Sequence, residues 1–274
     1  MIDFATPLRL VREKMPLVQC ITNFVTVNDC ANIILAAGGS PSMAHHPDEV
    51  EEAIQGAQAL VCNMGAIEDT PSMILAGRRA NTLGKPVVLD PVAVGTTTLR
   101  RTCAAQLLDS VRFSVIRGNA SEIRYLAGQQ AQGSGVDVSR LDVITEENLP
   151  EAVPMVKTLA ATTGSVIVIS GALDLVSDQT RAVVLRNGCP TMARITGSGC
   201  MLTSLIGVFC GALPQDPFSA ACAAVAAMGI CGELADARRL ANGTGNATFR
   251  TDLIDAVFNL TEQQCQEGAR YEIF

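Results

Sequence analysis

Five short runs rich in β-branched and apolar residues, "PLVQCI", "ALVCNMG", "PVVLDP", "FSVIRGN" and "SVIVISG", recur between Pro16 and Gly171, separated by loops and helix-like stretches. Runs this short and this apolar are buried on both sides, and strands joined through helices pair in parallel. The chain is therefore expected to be α/β, with a mainly parallel sheet flanked by helices on both faces. Thr70 and Pro71 are read as opening one helix that Gly84 closes. "HPDEVEEAIQ" sets Pro47 and several acids in the first turns of another, where the helix dipole favours negative charge. Beyond Ser170, "LDLVSD" and "RAVVLRNG" read as a hairpin at the sheet edge, followed by helical segments from about Gly199, Pro217 and Thr248. No linker, repeat or low-complexity tract divides the sequence, so one domain is expected over residues 1–274.

Composition narrows the function classes. A net charge of −7 with only three lysines argues against a nucleic-acid or acidic-membrane partner, both of which need clustered basic side chains. The longest apolar stretches, Cys200 to Leu213 and Ala220 to Ile230, fall short of the ~18 residues of a membrane span and read as buried helices. "MIDFATPLRLVREKMPL" lacks the uninterrupted apolar segment of a secretory signal, so a cytoplasmic location is expected. Ten cysteines without a single CxxC pair read as reduced, small, buried residues. His45 and His46 are the only histidines; as neighbours they make a poor zinc site and a distant base for a cysteine hydrolase.

Polar residues punctuate the strand ends, where α/β folds bind ligands: Asp90 in "VVLDP", Arg117, Asn119 and Glu122 in "VIRGNASE", Ser170 in "VIVISG". Each also has a purely structural reading. Asp90 before proline starts a turn, Asn119 caps the helix that holds Glu122, and Arg117 pairs with a surface acid. In "RITGSGCMLTSLIGVF" a two-glycine turn precedes an apolar helix, an arrangement that lets backbone N–H groups approach a phosphate. The residues alone leave Cys200 open between a small core residue, a thiol nucleophile and a less usual role. Other phosphate motifs are missing: Gly84-Lys85 is followed by Pro86, which removes a Walker A loop, and no G-x-G-x-x-G follows the first strand.

Taken in order, "ITNFVTVNDCANIILAAGGSPSMA", "VVLDPVAVG", "VIRGNASEI", "VISG" and "RITGSGCMLTSLIGVF" resemble the hydroxyethylthiazole kinases of the ribokinase-like superfamily, over most of the chain. The resemblance implies a single ribokinase-like domain that phosphorylates the alcohol of 4-methyl-5-(2-hydroxyethyl)thiazole with ATP and Mg²⁺, a salvage step of thiamine biosynthesis. It implies a homotrimer with sites between subunits. By position it implies Cys200 as the base, where many ribokinase-like enzymes carry Asp, and Gly197, Ser198 and Gly199 as an anion hole. It also implies Met43, Asn23 and Gly197 at the thiazole, Arg117 and Ser170 at ATP, and Asp90 and Glu122 around Mg²⁺. Gln19 departs from the His that many members carry before the "ITN" segment. Alternatives are another ribokinase-like kinase, such as one acting on hydroxymethylpyrimidine, a noncatalytic ligand-binding protein, or a covalent thiol enzyme; Met43 and Cys200 together favour the thiazole.

Overall fold

The computed structural model describes residues 1–128 and 143–274. Its strands are β1 (Leu17–Ile21), β2 (Ser40–Ser42), β3 (Ala59–Asn63), β4 (Val87–Asp90), β5 (Val115–Gly118), β6 (Val166–Ile169), β7 (Asp174–Ser177), β8 (Ala182–Leu185) and β9 (Tyr271–Ile273). They form one sheet in the order β2-β1-β3-β4-β5-β6-β7-β8-β9. The first six positions in that order pair in parallel and the remainder antiparallel.

The five sequence runs are the parallel core β1, β3, β4, β5 and β6, and the expected hairpin is β7–β8. That hairpin is not the sheet edge, however, because β9 pairs outside it, with Leu185 opposite Tyr271 and Val183 opposite Ile273. β2, "SPS", has no β-rich composition; it is drawn into the sheet by the turn at Gly38, with φ of 105°, and by Ser40 N donating to Pro16 O at 2.9 Å.

Side-chain alternation along the strands builds two cores. Val18, Val61, Val88, Val115, Val168 and Val176 face one, with α1 (Ala5–Lys14), α2 (Val27–Ala37), α8 (Ser198–Ala212), α9 (Pro217–Asn242), α10 (Asn246–Asn259) and α11 (Glu262–Gly268). Ile21, Leu60, Leu89, Ile116, Ile167 and Leu175 face the other, with α3 (Val50–Gly56), α4 (Thr70–Thr82), α5 (Thr98–Ser110), α6 (Ala120–Leu126) and α7 (Leu149–Thr163). Helix boundaries shift slightly from expectation. Thr70 is the first helical residue of α4, not its cap, and its hydroxyl donates to Ile67 O at 2.7 Å. Pro47 lies ahead of α3, which starts at Val50.

α9 runs for 26 residues, well beyond its apolar stretch. Among the described residues it is the one helix long and apolar enough to cross a membrane, and most of its apolar window is buried in the fold. All ten cysteines are free and eight are buried, as their scatter implied; Cys189 and Cys200 are partly exposed.

α8 positions the site. From Met201 to Ala212 every residue is buried, and Gly207 lets the helix lie directly on the sheet, since a Cβ there would stand 2.5 Å from Val61 Cγ2 and 3.3 Å from Val18 Cγ1. Gly207→Ala is therefore expected to cost about 1–3 kcal/mol through overpacking, measured by urea unfolding. An unchanged midpoint would mean that contact does not seat the helix.

Candidate active site

The parallel strands end along one edge of the sheet, and the sequence-predicted residues gather there. Asn23 follows β1, Met43 follows β2, Asp90 ends β4, Arg117 is the penultimate residue of β5, and Ser170 follows β6. The amino end of α8 completes the edge, because α8 packs on β1, β3 and β4.

Asp90, only 1% exposed, is the centre of the cluster. Its Oδ2 accepts from Thr203 Oγ1 at 2.7 Å, from Asn63 Nδ2 at 3.3 Å and from Arg117 Nη1 at 3.4 Å. Arg117 thus pairs with a buried acid, not with the surface acid of its structural reading, and its Nη2 donates to Ser170 Oγ. Burial pushes the Asp90 carboxyl up, while Arg117 and the Thr203 hydroxyl oppose the shift.

Both glycines of the turn are required by close approach. A Cβ at Gly199 would stand 2.6 Å from Arg117 Nη1. Gly197 has a φ of 86°, and a Cβ there would meet Thr26 Cγ2 at 2.6 Å. The first helical bond of α8 runs from Met201 N to Gly197 O at 2.8 Å, so the N–H groups of Ser198, Gly199 and Cys200 have no carbonyl one turn back to donate to. Cys200 is not a core residue. The residue is half-buried, and its sulfur accepts from Asn63 Nδ2 at 3.2 Å and from Asn23 Nδ2 at 3.5 Å.

Asn119 and Glu122 satisfy their structural reading. Asn119 Oδ1 accepts from Glu122 N at 2.9 Å, and Glu122 Oε2 accepts in return from Asn119 N at 2.8 Å, a capping box. Glu122 Oε1 accepts from Ala93 N at 2.7 Å and so fixes the loop after β4, where Ala93 holds a φ of 56° that is unfavourable for a residue with a Cβ. Burial, then the neighbouring Asp90 charge, push the Glu122 carboxyl up.

These carboxylates fit a small hard cation in part. Asp90 Oδ1 is buried without any hydrogen-bond partner, and Glu122 is electrostatically coupled to it. Among the described residues no three His, Cys, Asp or Glu side chains converge. A cation here would take most of its ligands from phosphates and water, as Mg²⁺ does.

Met43 is half-buried at the margin of the core on the α8 side of the sheet. Gln19 is fully buried in β1, its Nε2 donating to Ala44 O at 3.1 Å while its Oε1 has no partner. His45 and His46 are exposed on the loop after Met43, where His45 Nδ1 lies 3.0 Å from Met43 O. The sequence reading missed Asn63 and Thr203. Asn63 carried the same signal as Asp90, a polar residue closing an apolar strand, whereas Thr203 stands one turn beyond Gly199 within an apolar helix.

Asp174 opens β7 beside the Ser170 loop, with Oδ1 accepting from Gly171 N at 2.9 Å. Burial raises its carboxyl to about 7, against the lowering effects of that N–H and of Arg117. A carboxyl raised on folding binds more protons in the folded state, so its contribution is complete below the unfolded value and is lost as pH rises through the folded one. Asp174→Asn is expected to flatten the fall in stability between about pH 4 and about 7, read from thermal midpoints across that range. Parallel wild-type and variant profiles would exclude Asp174 as the titrating group.

A parallel sheet with an antiparallel extension and a glycine turn opening a buried helix at the strand ends define a ribokinase-like protein. The same fold is found in the pyridoxal kinase from Staphylococcus aureus, with a TM-score of 0.56 at 13% identity over 80% of this chain and 87% of that one. Within that class the chain belongs to the hydroxyethylthiazole kinase family, whose sequence model matches residues 8–263. It is 46% identical to the hydroxyethylthiazole kinase of Clostridium acetobutylicum over 266 residues, 96% of this chain and 97% of the relative. It is 46% identical to that of Desulfovibrio desulfuricans over 263 residues, 93% of this chain and 92% of the relative. The hydroxyethylthiazole kinase structure from Pyrococcus horikoshii covers 99% of this chain, and 98% of its own length is covered, with a TM-score of 0.85 and 33% identity.

Proposed function

We propose that this chain transfers the γ-phosphoryl group of ATP to the primary hydroxyl of 4-methyl-5-(2-hydroxyethyl)thiazole, giving the thiazole phosphate of thiamine biosynthesis. The observation that carries the reading is the sulfur of Cys200. It stands at the amino end of α8 as the acceptor of two amide N–H groups, and one of those amides also bonds the carboxylate of the Asp90–Arg117 pair.

Phosphoryl transfer asks the protein mainly to align the reactants and offset charge. Cys200 accepts the hydroxyl proton, and Gly197, Ser198 and Gly199 shape an anion hole from the backbone N–H groups at the start of α8. Arg117 and Ser170 hold the phosphates of ATP. Asp90 and Glu122 would hold Mg²⁺, which would supply further charge neutralisation at the phosphates. Met43, Asn23 and Gly197 receive the ring, where a polarizable thioether suits a sulfur heterocycle.

The reading takes residues 1–274 as one domain, supported by a single sheet shared by both cores. Its assembly is a cytoplasmic homotrimer with sites between subunits; Phe24 and Val25, 89% and 59% exposed beside Asn23, supply apolar surface at the rim of the site.

Met43→Ala tests the ring pocket. Losing this side chain is expected to raise the KM for the thiazole alcohol about tenfold with kcat little changed, since the phosphate-side residues are intact. The same variant should lose part of its kcat/KM preference for the thiazole over hydroxymethylpyrimidine. An unchanged thiazole KM would remove Met43 from the pocket, and a wild-type preference for the pyrimidine alcohol would overturn the substrate assignment.

A further inference from the structure

Asn63 ends β3 with 1% exposure, and its amide orientation is fixed by chemistry. Oδ1 accepts from Gly65 N at 2.8 Å; a backbone N–H can only donate, so that atom is the carbonyl oxygen and the NH₂ group faces the other way. The NH₂ group has two hydrogens and two acceptors, Cys200 Sγ at 3.2 Å and Asp90 Oδ2 at 3.3 Å. Asn23 is locked similarly. Its Oδ1 accepts from Thr26 N at 3.1 Å, which leaves Nδ2 toward Cys200 Sγ and Asn63 Oδ1, each at 3.5 Å. The Gly65 backbone closes over both amides, for a Cβ there would stand 2.7 Å from Asn63 Oδ1 and 2.8 Å from Asn23 Nδ2.

We propose that Asn63 is a positioning residue for the transfer: its one amide sets the Cys200 sulfur as a hydrogen-bond acceptor and ties it to the Asp90 carboxylate, so that the proton-accepting and phosphate-holding ends of the site are placed together. The proposal rests on the reading of Cys200 as the base. In the step it serves, the alcohol oxygen bonds to the γ-phosphorus, the bridging oxygen leaves with ADP, and the hydroxyl proton passes to the deprotonated sulfur, which later releases it to solvent. Asn63 has no part in the bond changes. It keeps donors, and no negative charge, between two groups that both act as acceptors.

This demand separates Asn63 from a residue that merely fills space. Asn63→Asp preserves shape and the acceptor for Gly65 N but sets a third anionic group between sulfur and Asp90, whereas Asn63→Ala removes the side chain. A packing role makes the Asp variant nearly wild type and the Ala variant the worse; the positioning role reverses that order.

The test is the rate of Cys200 alkylation by iodoacetamide at pH 7, followed by mass spectrometry of the peptide containing Cys200, with circular dichroism checking each variant's fold. Because a neighbouring anion disfavours the reactive thiolate, the Asp variant is expected to react about tenfold more slowly than wild type, with Ala between them. kcat should follow the same order, with smaller changes in either KM. Should the Asp variant be too unstable, Asn63→Ser, neutral and shorter, takes its place and is also expected to slow alkylation. Alkylation of the Asp or Ser variant at the wild-type rate overturns the proposal. The alkylation measurement does not use kinase turnover, so a failure of the thiazole kinase reading appears separately, as absent wild-type activity.

Discussion

Cys200→Ala is expected to fold and to lose kcat by roughly a hundredfold, within the range for removal of a general base. Folding should survive because Cys200 is only half-buried and its sulfur's partners are side-chain amides on other elements. Cys200→Asp should retain clearly more activity than Ala. A carboxylate can accept the proton, and the Asn63 and Asn23 donors that now face sulfur would face its oxygens. The measurement is kcat with saturating thiazole alcohol and MgATP. Alanine activity equal to wild type would remove the base role, and equal loss in Ala and Asp would favour a covalent thiol.

Arg117→Met is expected to cost about 3–5 kcal/mol of stability, the penalty for leaving one member of a buried ion pair alone. Both partners are well inside the site, with side-chain exposures of 10% for Arg117 and 1% for Asp90. Asp90 keeps Thr203 and Asn63 as donors but loses the one cation bonded to it among the described residues. Burial already raises the Asp90 carboxyl and Arg117 opposes that shift, so the variant raises it further. A carboxyl with a raised folded value favours the folded state at low pH and loses that advantage as pH rises, so the defect should be deepest near neutrality and shrink on acidification. Asp90→Asn added to Arg117→Met should recover much of the stability at pH 7 and none of the turnover. Urea midpoints at pH 5 and pH 7 for the single and double variants check this. A single variant as stable as wild type at pH 7 would show that the pair does not govern the cluster.

The parallel core was legible because burial on both faces makes each central strand a short apolar run, and because ligand-binding residues must stand where those runs stop. That rule marks Asp90, Arg117 and Ser170 as candidates, and the structure brings them together; Asn63 satisfies it too but passes unmarked as the end of "ALVCN". The partners themselves were not legible. Arg117 meets Asp90 across 27 residues of chain, Thr203 meets Asp90 across 113, and Asn63 meets Cys200 across 137, and each contact is set by sheet order, to which local pattern is blind. β2 and β9 escaped for a different reason: three residues each, they are held by neighbours and turns and carry no periodicity of their own. The glycine turn was read for phosphate approach. Its side-chain reasons, Arg117 against Gly199 and Thr26 against Gly197, needed the packed structure.

The central claim is a reaction, and the direct measurement is product formation by the purified wild-type chain supplied with MgATP and 4-methyl-5-(2-hydroxyethyl)thiazole. The expected result is one thiazole phosphate monoester formed per ADP released, identified by mass spectrometry, with ADP release falling to background when the alcohol is omitted. Folded protein that forms no thiazole phosphate, or that releases ADP at the same rate without the alcohol, would contradict it.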